Sequence, residues 1–97
     1  MRYEVALAAE AVEDFKKLSA RDRSVVSDGI EKHLRHQPMT ESKSRVRRLR
    51  DLSHPEYRLR LGDIRVFYVV KEDTVVILGI VPKSEAASWL RGTGERG

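Results

Sequence analysis

Two short pairs of turn-forming residues, Gly62-Asp63 and Glu72-Asp73, constrain the fold of this chain more than any other feature. They separate three runs rich in β-branched and aromatic residues, which are Tyr57 to Leu61, Ile64 to Lys71 and Thr74 to Val81. Connections this short join antiparallel strands, so the pattern predicts a three-stranded meander. The middle run is apolar on both faces near its end, which indicates a central strand.

The first half of the chain has a helical pattern after one short strand. Residues 2–7 alternate roughly between polar and apolar side chains, which favours a strand. Residues 9–18 place their apolar side chains on one stripe, and this spacing predicts an amphipathic helix. Ser19 is a typical N-cap for a second helix. We expect that helix to reach about His36, because Pro38 cannot continue it.

The order of these elements predicts an α+β fold in which both helices pack on one face of the sheet. We expect an N-terminal strand, a helical hairpin, and then a three- to four-stranded, largely antiparallel sheet with a short or irregular strand near Val46. Residues 83–90 are expected to form a short C-terminal helix. A chain of 97 residues allows one core. We therefore assign residues 1–91 to a single domain and the glycine-rich residues 92–97 to a flexible tail.

Composition excludes several classes of site. The chain has no cysteine, so disulfides, cysteine-based zinc sites and thiol catalysis are excluded. His33 and His36 lie three residues apart on the second helix, but no nearby carboxylate completes a recognisable metal site. We therefore expect neither a metal nor a cofactor. No apolar run approaches ~20 residues and no signal peptide is recognisable, so we expect a cytoplasmic protein without a membrane partner.

Basic residues are concentrated between residues 43 and 65. This segment carries eight basic side chains, seven of them arginine, against three acidic ones, so its charge of +5 exceeds the +4 of the whole chain. The basic residues are Lys43, Arg45, Arg47, Arg48, Arg50, Arg58, Arg60 and Arg65. Arginine binds phosphate and carboxylate with a two-pronged fork, which favours a polyanion or an acidic protein partner over a merely solvated face.

A two-residue turn at Gly62-Asp63 would fix the register of the hairpin around it. Arg60 then faces Arg65 and Arg58 faces Phe67, so three arginines share the face of the sheet opposite the helices. Leu59, Leu61, Ile64 and Val66 would lie under the helices. Two opposed arginines repel each other, so their pairing indicates a bound anion such as a phosphate.

Residues next to the three arginines determine how their charge could be used. If Asp51, Glu56 or Asp63 pairs with them, the face merely keeps the sheet in solution. An apolar patch is expected beside the arginines, and it would accept an acidic amphipathic segment of a partner protein. The patch consists of Phe67, Val69, Val76 and Leu78.

Residues 57–68 have the sequence YRLRLGDIRVFY, and after the next apolar strand comes the segment Pro82-Lys83-Ser84-Glu85-Ala86. With the N-terminal strand, the helical hairpin ending near a proline and the Arg48-Leu49-Arg50 stretch, this pattern resembles RelE/ParE-family toxins over nearly the whole chain. The resemblance implies a RelE-like α+β fold and the toxin of a type II toxin–antitoxin module. Its partner would be a cognate antitoxin, with operator DNA contacted only through the complex of the two proteins.

RelE-like members of this family cut messenger RNA in the ribosomal A site without a metal, by attack of the 2′-hydroxyl on the adjacent phosphate. The resemblance therefore implies a ribosome-dependent endoribonuclease that inhibits translation. By position, it assigns catalysis to Arg58, Arg60, Arg65 and Lys83. RNA binding is expected of the basic segment and of the aromatic residue near the C-terminus, that is, of Arg45, Arg48, Arg50 and Trp89.

Trp89 stands where the RelE pattern has a tyrosine. Tryptophan can stack on a base or pack the last helix against the sheet, but it has no hydroxyl to exchange a proton. Arginines also accept protons poorly, because their pKa lies above ~12. Electrostatic stabilisation is unaffected, whereas acid–base catalysis would need His54, Tyr57 or another group, or turnover would be slow. Two alternatives stay open: a ParE-like inhibitor of DNA gyrase, and a weakened toxin that acts mainly as an antitoxin-binding co-repressor.

Overall fold

A five-stranded mixed sheet forms the centre of the molecule, and two helices pack on one of its faces. The computed structural model describes residues 2–42, 45–50, 52–93 and 95–96. In chain order the elements are β1 (Glu4–Leu7), α1 (Ala9–Lys17), α2 (Ala20–His33), β2 (Val46–Arg48), β3 (Leu52–His54), β4 (Tyr57–Leu61), β5 (Ile64–Lys71), β6 (Thr74–Pro82), a 3₁₀ turn (Lys83–Glu85), α3 (Ala86–Thr93) and β7 (Glu95–Arg96).

The sheet has the strand order β1-β6-β5-β4-β2. The meander of β4, β5 and β6 is antiparallel, and its strands begin and end within one residue of the predicted bounds. β5 is the central strand, as predicted. The sheet has five strands rather than three or four, because β1 joins β6 in parallel and the three-residue β2 joins β4. The predicted α+β class and the largely antiparallel sheet are confirmed.

The two helices follow the apolar pattern of the sequence. Ser19 caps α2 as predicted, since its hydroxyl accepts a hydrogen bond from the Asp22 amide at 3.1 Å. α2 ends at His33 rather than near His36, because Leu34 forms the C-cap and turns into the core, where it is fully buried. The core between helices and sheet contains Ala11, Val26, Ile30, Leu34, Val46, Tyr57, Leu59, Leu61, Ile64, Val66, Tyr68, Val75, Ile77 and Ile80.

The segment between α2 and β2 is attached to the sheet at two points. The buried Tyr68 hydroxyl donates a hydrogen bond to the Pro38 carbonyl at 2.6 Å, and burial raises the pKa of this phenol well above its ordinary value. Glu41 and Ser42 then follow the outer edge of β2: the Glu41 carboxylate accepts from the Arg48 amide at 2.8 Å, and the Ser42 amide donates to the Val46 carbonyl at 2.9 Å.

The C-terminal region folds back against the sheet. The expected helix is present as the 3₁₀ turn followed by α3, which continues to Thr93. Glu95–Arg96 pairs with Leu52–His54 in a separate two-stranded sheet, while Gly94 and Gly97 lie outside the described residues. The division into a domain of residues 1–91 and a tail of residues 92–97 stays a prediction. Within the described ranges, no helix is long and apolar enough to cross a membrane.

Candidate functional site

The β4–β5 hairpin has the predicted register, with Arg58 opposite Phe67 and Arg60 opposite Arg65. Gly62 has a φ of 59°, which glycine adopts without steric penalty, so the turn closes in two residues. All four apolar residues predicted to face the helices belong to the core. Alternation along the strands therefore places the three arginines on the opposite face, as predicted.

β2 adds a fourth arginine to this surface. Arg47 pairs with Arg58 across the β2–β4 ladder, and its neighbour Val46 is buried in the core on the helix side. Side chains alternate along a strand, so a strand that begins at Val46 indicates that Arg47 faces away from the core. The sequence did not show which strand pairs with β2, and therefore did not place Arg47 next to Arg58. We call Arg47, Arg58, Arg60 and Arg65 the arginine face.

Arg65 is the most deeply placed member, with 7% of its surface exposed. Its Nη1 donates hydrogen bonds to the carbonyl oxygens of Gly62 at 2.7 Å and of Ile64 at 3.1 Å. The turn therefore fixes the position of this guanidinium group. A guanidinium held in this way needs little reorganisation to bind an anion.

Arg58 is half-buried, and its Nε is buried without a hydrogen-bond partner in the described part of the chain. Burial lowers the pKa of Arg58, and the charges of Arg65, Arg47 and Arg60 lower it further. A buried donor without an acceptor, in a field of like charges, is unfavourable for folding. A bound anion would offset the repulsion among these charges.

None of the described carboxylates forms an ion pair with a member of the arginine face. The ion pairs among the described residues are Arg2–Glu31, Lys16–Glu13 and Arg35–Glu31. The Glu56 carboxylate instead accepts a hydrogen bond from the Val70 amide at 3.1 Å. The alternative in which Glu56 or Asp63 neutralises these arginines is therefore wrong. Asp51, the third acid of that alternative, lies outside the described residues, as does Lys43 of the basic segment.

A concavity of about 530 Å³ opens beside the arginine face. It is lined by Glu41, Ser42, Val46, Arg47, Arg48, Arg50 and Arg58. The structure thus brings Arg48 and Arg50, predicted to bind RNA, beside Arg58, predicted to be catalytic. The Arg48 guanidinium lies 5.5 Å from the centroid of the Tyr57 ring. This cation–π contact holds the Arg48 side chain at the rim of the concavity.

Arg45 and Lys83 lie at the margins of the arginine face. The Arg45 carbonyl accepts a hydrogen bond from the Arg60 amide at 2.8 Å, but the exposed side chain of Arg45 lines a second, smaller concavity. Lys83 is exposed, and its amide donates to the Asp63 carbonyl at 2.7 Å, which places it beside the hairpin turn. The catalytic and RNA-binding roles of all these residues stay predictions.

Trp89 packs on the same side of the sheet. Its ring stacks on Phe67 with centroids 4.7 Å apart and planes inclined by 6°. The ring also lies against Gly79, where a Cβ would come within 2.4 Å of it. Packing of the last helix, one of the two alternatives for Trp89, is therefore observed, and stacking on a base stays a prediction.

The predicted exposed apolar patch is wrong. Phe67 and Val69 are 1% and 3% exposed, and Val76 and Leu78 are only partly exposed. Trp89 covers Phe67 because α3 folds back onto the sheet. A partner protein thus meets charge at this surface rather than a broad apolar area.

The groups suggested for proton transfer do not line the concavity beside Arg58. Tyr57 is 5% exposed and stacks on Tyr68 in the core, with ring centroids 5.5 Å apart. His54 lines another concavity together with Trp89. None of the three histidines and three tyrosines of the chain lines the concavity beside Arg58. No group of three His, Asp or Glu side chains in the described ranges could hold a metal ion.

The chain is similar to known toxins in both sequence and fold. Residues 5–87 match the family model of the ParE toxin of the type II toxin–antitoxin system parDE. None of the curated proteins matches the chain.

Solved structures share the fold over most of their length. The archaeal RelE–RelB complex from Pyrococcus horikoshii has a TM-score of 0.68 and 27% identity, covering 86% of this chain and 97% of that chain. The toxin–antitoxin complex RelBE2 from Mycobacterium tuberculosis has a TM-score of 0.66 and 26% identity, covering 84% of this chain and 99% of that chain. A double arginine-to-alanine mutant of the Escherichia coli toxin RelE in the free state has 16% identity and a TM-score of 0.67, covering 95% of this chain and 93% of that chain, and supports the fold alone. The predicted RelE-like fold is confirmed.

Proposed function

The chain belongs to the ParE toxin family of type II toxin–antitoxin systems, and we propose that its arginine face binds and cleaves messenger RNA on the ribosome and so inhibits translation. One observation carries this proposal: four guanidinium groups share one face, and no described carboxylate pairs with any of them. An RNA strand supplies the missing negative charge at every phosphate. Arginine forks fit the oxygens of a phosphodiester.

In the proposed reaction the 2′-hydroxyl of one nucleotide attacks the adjacent phosphorus. The bond between phosphorus and the 5′-oxygen of the next nucleotide breaks, which leaves a 2′,3′-cyclic phosphate and a 5′-hydroxyl. Arg58 and Arg65 stabilise the negative charge that grows on the non-bridging oxygens. Arg60, directly opposite Arg65, orients the same phosphate.

Proton transfer in this reaction depends on groups outside the concavity. No histidine or tyrosine lines it, so water takes the proton of the attacking hydroxyl. Lys83 is exposed beside the hairpin turn, and its ammonium group donates a proton to the leaving 5′-oxygen. Because only half of the acid–base pair is a protein group, we expect slow turnover per ribosome.

A cognate antitoxin is the proposed protein partner of this toxin. The similar structures from P. horikoshii and M. tuberculosis are complexes of a toxin with its antitoxin. An acidic antitoxin segment would neutralise the arginine face and exclude RNA from it. Operator DNA would be contacted only through the complex.

Mapping of transcript ends by primer extension after induction of the toxin tests the proposal. The wild-type toxin should cut translated messages, and Arg65→Ala should reduce cleavage by about 100-fold and relieve growth arrest, since one preorganised donor to the transition state is lost. Arg23→Gln removes an exposed arginine of α2 that lines neither the concavity beside Arg58 nor the one lined by Arg45, and this variant should cut like the wild type. Growth arrest with intact transcripts would contradict the proposal.

Inhibition of DNA gyrase is the second candidate function. It is favoured by the match to the ParE toxin model and by the lack of a histidine or tyrosine in the concavity beside Arg58. A gyrase inhibitor would stop supercoiling of plasmid DNA and leave transcripts intact. Induction without any effect on growth would instead favour a weakened toxin that acts through the antitoxin complex.

A further inference from the structure

A second cationic concavity, of about 190 Å³, lies between the end of α2 and the beginning of β2. The residues that give it its chemistry are Lys32, His33, His36, Gln37, Thr40 and Arg45. Each of these side chains carries an N–H or O–H donor, and no described acidic side chain lines the space. Such a lining is suited to an anion with several acceptor oxygens.

The second concavity adjoins the one beside the arginine face, because Ser42 and Val46 line both. Hydrogen bonds join these two residues in the wall between the concavities. The Ser42 hydroxyl accepts hydrogen bonds from the Arg45 and Val46 amides at 3.1 and 3.0 Å, and the Ser42 amide donates to the Val46 carbonyl at 2.9 Å. Arg45 links the second concavity to the arginine face, since its carbonyl accepts a hydrogen bond from the Arg60 amide while its side chain lines the second concavity.

The cations of this concavity come from two different elements. Lys32 and His33 lie in the last turn of α2, where positive charge stabilises a helix. Arg45 comes from the segment before β2, so helix stability does not account for its position. Burial lowers the pKa of the His33 imidazole, and the charges of Arg45 and Lys32 lower it further. The charges of Lys32 and Arg45 thus oppose protonation of His33, and a bound anion would offset them.

We propose that this concavity, formed by Lys32, His33, His36 and Arg45, binds a second phosphate of the RNA strand whose scissile phosphate lies on the arginine face. The inference rests on the proposed function and extends it, because the toxin would contact two phosphates of the RNA backbone rather than one. RNA fits better than an acidic helix of a protein partner, since such a helix needs apolar anchors. Here Val46 is the only aliphatic side chain among the described lining residues, and it is buried.

The test compares the binding of a trinucleotide and a nonamer, both labelled 2′-O-methyl oligouridylates, by fluorescence anisotropy at several salt concentrations. The methyl group removes the attacking hydroxyl, so the strands stay intact. We expect only the nonamer to occupy both the arginine face and the second concavity, because it carries many more internucleotide phosphates than the trinucleotide. Arg45→Gln and His33→Gln/His36→Gln are the test variants, Arg58→Gln reports the arginine face, and Arg23→Gln is the control with the same change in charge as Arg45→Gln.

For Arg45→Gln we expect about fivefold weaker binding of the nonamer, with the slope of log K against log salt reduced by about 0.7, as for one lost phosphate contact on a single strand. His33→Gln/His36→Gln should also weaken the nonamer. Neither variant should change trinucleotide binding, whereas Arg58→Gln should weaken both strands.

Equal nonamer binding by Arg45→Gln and Arg23→Gln would overturn the second site, as would a failure of the wild type to bind the nonamer. A loss by Arg45→Gln that is the same for both strands would also overturn it, because Arg45 would then act on the arginine face. If Arg45→Gln weakened only the complex with the antitoxin, the concavity would belong to that partner. The proposed function fails separately, by equal binding of Arg58→Gln and the wild type together with intact transcripts in cells.

Discussion

Arg60 and Arg65 face each other across β4 and β5, and neither forms an ion pair with a described carboxylate. Like charges directly opposed in a sheet destabilise it, so this pair is kept at the expense of stability. Arg60→Thr should raise the free energy of unfolding by about 0.5 kcal/mol, because the repulsion is removed and threonine suits a strand. The same variant should lose most of its cleavage of messenger RNA.

Urea denaturation and primer extension on the same variants check this trade of stability against activity. Arg60→Lys keeps the charge and the repulsion, so its urea denaturation should have the same midpoint as that of the wild type. If Arg60→Thr proved less stable than the wild type, the opposed pair would not be a source of strain. If it cleaved normally, Arg60 would have no role in holding the phosphate.

Tyr68 connects the sheet to the segment that separates the two concavities. Its hydroxyl donates to the Pro38 carbonyl at 2.6 Å in a buried position. Tyr68→Phe leaves that carbonyl without its donor and should lower the free energy of unfolding by about 1–3 kcal/mol. Tyr57→Phe is the matched control, because Tyr57 is the stacked partner of Tyr68 and its hydroxyl has no hydrogen bond to a described residue.

Thermal unfolding followed by circular dichroism measures this difference. We expect a lower melting temperature for Tyr68→Phe and little change for Tyr57→Phe. Equal melting temperatures would mean that stacking of the two rings, and not the bond to Pro38, holds this part of the fold.

Gly79 provides the space in which the indole of Trp89 lies on the sheet. A Cβ at this position would come within 2.4 Å of the ring, so Gly79→Ala must displace Trp89 from Phe67. We expect a loss of about 1–3 kcal/mol in the free energy of unfolding. Trp89 is the only tryptophan, so a red shift of its fluorescence reports the displacement directly.

Gly92→Ala is the matched control for this substitution. Gly92 is part of α3, and outside its own helix and chain neighbours no described atom lies within 4 Å of a Cβ built there. Alanine there should stabilise the helix by about 0.5 kcal/mol and leave the fluorescence unchanged. An unshifted spectrum for Gly79→Ala would contradict the packing described for Trp89.

The hairpin could be predicted from the sequence because its information is local. A two-residue turn and period-two alternation fix the register, and both placed Arg58, Arg60 and Arg65 on one face as observed. The helices and the Ser19 cap were predictable for the same reason, since capping and amphipathic spacing act within one or two turns.

Contacts between distant segments were not predictable. Arg47 joins the arginine face only because β2 pairs with β4, and three residues are too few to show which strand they pair with. Phe67 looked exposed because nothing in its own strand indicates that α3 folds back over the sheet and places Trp89 on it. The second concavity likewise combines α2 with the start of β2, whereas the spacing of His33 and His36 suggested only a metal pair.

His33 should make the stability of the folded protein depend on pH. Its pKa is lowered from 6.5, first by burial and then by the charges of Arg45 and Lys32; His36 lines the same concavity. Below pH 6.5 the unfolded chain therefore binds a proton on this imidazole more readily than the folded chain does. The free energy of unfolding should decrease as the pH falls through this range, and the contribution disappears above it, where the imidazole is neutral in both states.

Urea denaturation between about pH 7.5 and 5.5, with NMR titration of the imidazole, measures this dependence. His33→Gln should flatten the decrease in stability at low pH, and Arg45→Gln should move the pKa of His33 back toward its ordinary value. A bound phosphate would act in the opposite direction, since it stabilises the imidazolium and raises the pKa. An unshifted His33 in the free protein would mean that the imidazole is not buried and that Arg45 does not approach it, which would contradict the concavity described here.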